Sequence, residues 1–276
     1  MLEELQNNRD NDHKYQSQNP VAGEGLREMT STLQHDLSSA ETFDIQTIIG
    51  DSRERVRKTI ETGTFFSAES SDELLREHLN SKVKLIVLYV DLVGSTMMTR
   101  SLPVAQLALM VQTFTQEMSF TVSRFNGYVL KYVGDAIIAY FPADANYNSR
   151  CNAAINCSQA MIQVLEEGIN SIFREQGYDR LQAKIGIETG EHSVIQYILA
   201  NMSQVDILGY GISMAAKLST LARPNQIVIS HGIYFGMHPA FRKKFVQMDL
   251  DPRMWKYKDE TFQPGVWRSL SLEDGE

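Results

Sequence analysis

Two aspartates stand where apolar runs give way to glycine turns. Leu85-Ile-Val-Leu-Tyr-Val90 closes on Asp91-Leu92-Val93-Gly94-Ser95-Thr96. Tyr128-Val-Leu-Lys131-Tyr-Val133 reaches Gly134-Asp135, and a second apolar run, Ala136 to Phe141, follows at once. Runs of β-branched and aromatic residues bounded by turn residues read as buried strands. A carboxylate at the rim of such a core is costly to desolvate unless a cation pairs with it. Two of them, beside glycines that let an anion approach the backbone, are the donor set of a magnesium–nucleotide site. The competing reading is that each aspartate only caps its turn.

Those strands need helices to hold them. After the strand 82–91, Pro103 suits a first helical turn, and Leu107, Met110, Val111, Phe114, Met118 and Val122 recur every three or four residues as one buried stripe. Phe125-Asn-Gly127 ends this helix, with Gly127 expected as its C-terminal cap. Strands near 128–133 and 135–141 form a hairpin. A long helix is expected from about Asn146 to Glu175, then a strand over Leu181–Ile187. The order strand–helix–strand–strand–helix–strand predicts an α+β fold, a ferredoxin-like βαββαβ sheet with helices on one face. A strand near 203–208, a helix from about 212 to 222, and the strand Gln226–Ser230 extend it. The stretch Phe245–Leu270, with Trp255 and Trp267, reads as a closing hairpin.

Residues 1–43 are polar and poor in large apolar side chains, which predicts a mostly disordered tail. Residues 44–81 form a helical lead-in, where Ile45, Ile48, Ile49, Val56 and Ile60 mark one helix or a broken pair. Ser70 and Glu73 have capping-box spacing for a second, short helix. The lead-in is either a simple approach to the domain or a dimerisation and signalling helix. The domain proper is expected over 82–276.

Composition closes off other classes. A net charge of −8 without a basic tract argues against nucleic-acid binding, and 43% hydrophobic residues suffice for a real core. Cys151 and Cys157 lie six apart in a helical pattern and point in different directions, as expected in a reducing compartment. No apolar run has the length of a membrane span and the start lacks a signal-peptide pattern, so a soluble cytoplasmic protein is expected. The six histidines show no zinc-ligand spacing.

Four motifs occur together and in order: Tyr89-Val-Asp91-Leu-Val-Gly94-Ser-Thr, Leu130-Lys131-Tyr-Val-Gly134-Asp135, Ile185-Gly-Ile187-Glu-Thr-Gly190 and Asp206-Ile-Leu-Gly209. With them, residues 82 to about 270 resemble a class III nucleotidyl cyclase catalytic domain. The resemblance implies that Asp91, Asp135 and the carbonyl of Leu92 hold two Mg²⁺ or Mn²⁺ ions per site. It implies that Val93, Gly94, Ser95 and Thr96 meet the substrate's β- and γ-phosphates. It gives Lys131 and Asp206 the role of reading adenine, where guanylate cyclases have a glutamate and a smaller polar residue. The expected activity is therefore adenylate cyclase, converting ATP to 3′,5′-cyclic AMP and pyrophosphate.

Two family positions depart from the pattern. Ser213 and Lys217 stand where the family has asparagine, which orients the ribose, and arginine, which stabilises charge on the phosphate. Lysine keeps the charge and loses the planar fork, so a slow enzyme is expected. The alternative is a regulatory domain that binds ATP with little or no turnover. The family takes its metal ligands from one subunit and its base reader from the other. This chain carries both sets, so a head-to-tail homodimer is implied.

Overall fold

The computed structural model describes residues 44–66, 73–143, 146–199, 202–251, 253, 255–257 and 265–270. The expected tail over 1–43, and Ser70 of the expected capping box, lie outside these residues. The apolar pattern of the lead-in is one unbroken helix, α1 (Ile45–Thr62). Asp44 caps its start by accepting from the Gln46 amide, and Gly63, at φ 67°, ends it. A short helix α2 (Glu73–Glu77) leads into β1 (Lys82–Leu92). Helix α3 (Ser95–Ser101) follows the first glycine turn, and α4 (Val104–Arg124) carries the predicted stripe. Met110, Phe114, Met118 and Val122 are all fully buried.

The end of α4 corrects one expectation. Asn126, at φ 56°, takes the left-handed cap position, and the Gly127 amide donates to the Val122 carbonyl at 3.0 Å. Gly127 is needed for another reason: a Cβ there would lie 2.6 Å from the Phe141 ring. Asparagine tolerates the left-handed conformation, so the glycine is free to serve packing.

Strands β2 (Tyr128–Val133) and β3 (Ala136–Pro142) form the predicted hairpin, closed by Gly134 and Asp135 between the paired Val133 and Ala136. The long helix is α5 (Tyr147–Gln163), a π-helical turn (Val164–Ile169) and α6 (Asn170–Glu175). β4 (Ala183–Leu199) runs well past the expected Ile187, and β5 (Met202–Leu208) folds back on its second half. Then come α7 (Tyr210–Leu221), β6 (Gln226–Ser230), the short helices α8 (His231–Gly236) and α9 (Pro239–Arg242), and strands β7 (Phe245–Gln247) and β8 (Val266–Ser269). β7 and β8 pair as the expected closing hairpin; Trp267 lies on β8 and Trp255 lies outside the strands.

Among the described residues the sheet has eight strands in the order β2-β3-β1-β4-β6-β8-β7, with β5 paired to β4 alone. Its first four strands, β2-β3-β1-β4, are all antiparallel neighbours and form the ferredoxin-like part. Alternation along β1 sends Ile86, Leu88 and Val90 to one face and Val83, Leu85, Val87, Tyr89 and Asp91 to the other. Helices were expected on one face only. The second face is also covered: Val83, Leu85 and Val87 pack with Val205 and Ile207 of β5 and Ala215 of α7. Gly186 makes this possible, because a Cβ there would stand 2.0 Å from the Ala215 carbonyl oxygen. That face carries the candidate site.

Candidate active site

Asp91 is the last residue but one of β1, and alternation places its side chain on the face of Val87 and Tyr89. Burial first, and the neighbouring Asp135 carboxylate second, hold the Asp91 carboxyl above its ordinary range; Lys184 opposes them. Lys184 is the cross-strand partner of Asp91 on β4. Asp135 sits in the hairpin turn, and its Oδ2 is buried with no hydrogen-bond partner. Tyr89 stands beside both aspartates, its phenol raised by burial and then by their charges. The arrangement is two carboxylates with incomplete compensation, which is the environment a divalent cation neutralises. The donor set of Asp91, Asp135 and the Leu92 carbonyl fits a hard, oxygen-seeking ion.

The glycine turn follows directly. Gly94 adopts φ 76°, reversing the chain into α3, and its carbonyl accepts from the Met97 and Met98 amides. The Val93 amide does not point at an anion: it donates to the Gln182 carbonyl at 2.8 Å. The amides of Ser95 and Thr96, which open α3 before its first turn closes on the Gly94 carbonyl, are the ones a helix start leaves for an outside acceptor.

Lys131 and Asp206 are joined in an ion pair. A β-bulge makes this contact. The register steps from Val129↔Ala139 to Lys131↔Ile138, so Lys131 and not Leu130 sits opposite Ile138. Ile138 packs with Val205 and Ile207 of β5, which flank Asp206. The bulge thus aims an ammonium at β5. The second carboxylate oxygen of Asp206 accepts from the Ile207 amide at 2.9 Å, which fixes its plane.

The chain turns from β5 into α7 over a buried imidazole. A Cβ on Gly209 or Gly211 would fall 2.5 or 2.6 Å from the His192 ring, so both glycines are demanded by close approach. His192 Nδ1 is 2.9 Å from the Gly190 carbonyl, so in the neutral ring Nδ1 carries the proton and donates. Nε2 is buried without a partner, and burial holds the imidazole pKa below its ordinary value. The neighbouring Glu188 accepts from Ser230 Oγ at 2.5 Å and from the Thr189 amide at 2.8 Å. Neutral His192 is the folded form, so its contribution to stability is complete above about pH 6.5 and declines as pH falls below that value. Thermal melts between pH 7 and pH 5 should show this decline, and His192→Phe should make it shallower.

Ser213 and Lys217 lie one turn apart on α7, Ser213 exposed and Lys217 half-buried. The Lys217 ammonium stands 4.9 Å from the centre of the Tyr257 ring. The structure therefore groups Asp91 with Asp135, Lys131 with Asp206, and Ser213 with Lys217 on one helix. Lys184, Tyr89, His192 and Tyr257 were not singled out from the sequence. Lys184 has a readable signal, a charge inside an otherwise apolar strand; Tyr89, His192 and Tyr257 are marked out by partners on other segments, namely Asp135, the Gly209–Gly211 turn and Lys217.

Among the described residues no helix is long and apolar enough to cross a membrane. The profile of the Adenylate and Guanylate cyclase catalytic domain matches residues 78–253. A cytidylate cyclase of Escherichia coli is 24% identical over 157 residues, 54% of this chain and 34% of that protein. A uridylate cyclase of Rhodovulum sp. is 21% identical over 190 residues, 66% of this chain and 79% of that protein. The chain thus spans about a third of the first relative's length and most of the second's. Among solved structures, the adenylyl cyclase CyaB from P. aeruginosa superposes with a TM-score of 0.59 at 20% identity, covering 69% of this chain and 95% of that one. The guanylyl cyclase Cya2 gives 0.57 at 18% identity, covering 69% and 92%. These structures share the fold, and the profile covers well over half of the chain: it belongs to the adenylate and guanylate cyclase catalytic domain family.

Proposed function

We propose that this chain is an adenylate cyclase, forming 3′,5′-cyclic AMP and pyrophosphate from ATP. The observation that carries the reading is the Lys131–Asp206 pair. An ammonium can only donate hydrogen bonds, and an ionised carboxylate can only accept them. Adenine offers an acceptor at N1 beside a donor, its 6-amino group. Opened by the base, the pair matches that edge: Lys131 donates to N1 and Asp206 accepts from the amine. In the absence of nucleotide the two charges compensate each other.

The other residues complete the reaction. Asp91, Asp135 and the Leu92 carbonyl would hold two Mg²⁺ or Mn²⁺ ions, which when bound lower the pKa of the ribose 3′-hydroxyl and neutralise the triphosphate. The start of α3, at Gly94, Ser95 and Thr96, receives the β- and γ-phosphates. Lys217 supplies positive charge to the α-phosphate as pyrophosphate leaves, and Ser213 contacts the ribose. The site is built head-to-tail by two copies, the aspartates from one and Lys131, Asp206, Ser213 and Lys217 from the other.

Cytosine supports a second reading. Its N3 and 4-amino group repeat adenine's acceptor–donor order, and the E. coli relative is named a cytidylate cyclase. Guanine and uracil present the reverse order. The test is product formation from each of the four nucleoside triphosphates with Mn²⁺. Cyclic AMP is expected to dominate, cyclic CMP to be the next product, and the other two to stay below about 1% of it. A preference for GTP or UTP overturns the base assignment, and no cyclic product from any of the four overturns the enzyme.

A further inference from the structure

The family arginine's replacement by Lys217 leaves a flexible four-carbon stem where a rigid fork would stand. Such a side chain lacks the pre-organised fork of a guanidinium, so an unrestrained ammonium spends little time in any one position. The structure restrains it. Lys217 lies under the Tyr257 ring, and Tyr257 is itself braced edge-on by Trp255, with ring centres 5.1 Å apart and planes at 71°. Trp255 packs in turn against the cluster of Leu218, Ala222, Val228 and Val266. Leu218 follows Lys217 on α7 and Ala222 caps the end of that helix, so one short stretch of chain anchors on this helix and covers its lysine.

We propose that Tyr257 is a positioning residue for Lys217, an aromatic clamp from the C-terminal segment that restores the fixed placement a guanidinium would have had. The proposal rests on the reading of Lys217 as the phosphate-facing cation. The ring's face attracts the ammonium and narrows its rotamers, while one side of the ammonium stays open to substrate. Tyr257 acts through the ring and not through its hydroxyl. Since it orders a group needed in the transition state, its loss lowers kcat more than it raises KM.

The test measures kcat and KM for cyclic nucleotide formation in Tyr257→Ala, Tyr257→Phe, Lys217→Ala and the double variant Tyr257→Ala with Lys217→Ala. Tyr257→Ala should lose about 5-fold in kcat with KM little changed, the range expected for a cation–ring contact. Tyr257→Phe should keep wild-type turnover, and Tyr257→Ala should cost nothing further once Lys217 is alanine. An unimpaired Lys217→Ala overturns the role of Lys217 and the proposal with it. An impaired Lys217→Ala beside an unimpaired or faster Tyr257→Ala overturns the proposal alone. A measurement independent of turnover is the carbon NMR signal of dimethylated Lys217: a ring-current shift in the wild type should vanish in Tyr257→Ala. Its absence from the wild type likewise overturns the clamp.

Discussion

Asp91→Ala should fold and form no measurable cyclic nucleotide, an expected loss of at least about 10³-fold. The physical ground is charge. The charge of Asp135 acts on Asp91 at the rim of the sheet, and Asp135 Oδ2 is buried without a hydrogen bond. With the Asp91 carboxyl held above its ordinary range, the ionised form is the costly one. The penalty is absent at acid pH, appears as pH rises through the raised value, and is relieved when a cation binds. Removing the charge therefore separates stability from activity. Metal-free Asp91→Asn should melt above metal-free wild type, and should lose the rise in Tm that Mn²⁺ is expected to give the wild type. An inactive Asp91→Ala mixed with an inactive Lys131→Ala should regain activity, because a mixed head-to-tail dimer contains one intact site. If Asp91→Ala retains wild-type turnover, the aspartates only cap their turns. If the mixture stays dead while each variant dimerises, the two residue sets do not meet across an interface.

The aspartates were legible because their signal is local: a charge placed at the end of an apolar run needs no partner to be noticed. The α4 stripe was legible for the same reason. Gly127 was misassigned because the ring it accommodates, Phe141, lies on another element, while Asn126 next to it can take the cap. The length of β4 was missed because the polar stretch Glu188–Ser193 interrupts its apolar pattern, and only pairing with β1 shows that the strand runs on through it to Leu199. Val93 was grouped with the phosphate-facing amides because sequence cannot show that Gln182 already accepts from it. Lys131 and Asp206 were each recognisable by family resemblance. Their contact depends on a one-residue bulge at Leu130 that no property of that leucine announces. The unread part of the site thus consists of relations between distant segments, and the read part of residues whose chemistry conflicts with their own neighbours.

The double change Lys131→Glu with Asp206→Ser should transfer the preference from ATP to GTP. In the wild type, a purine with N1 protonated and oxygen at position 6 turns a donor toward Lys131 and an acceptor toward Asp206. Both contacts fail, and each charge is left desolvated without its mate. Glutamate at position 131 accepts from the guanine N1–H, and serine at 206 can donate to O6. The kcat/KM for ATP should fall about 10²–10³-fold and that for GTP should rise to exceed it, as expected for a site that rejects a base by leaving its own polar groups unpaired. Lys131→Glu alone should be worse than the double change for every substrate. It sets a second carboxylate against Asp206, which is buried and held in plane by the Ile207 amide. Its melting temperature should fall as well, and Asp206→Ser should recover that loss. A double variant that still prefers ATP would make the ion pair a brace between β2 and β5 that never meets the base. In that case the single change would still lower stability while leaving substrate preference untouched, so melting and specificity measured together decide between the two roles.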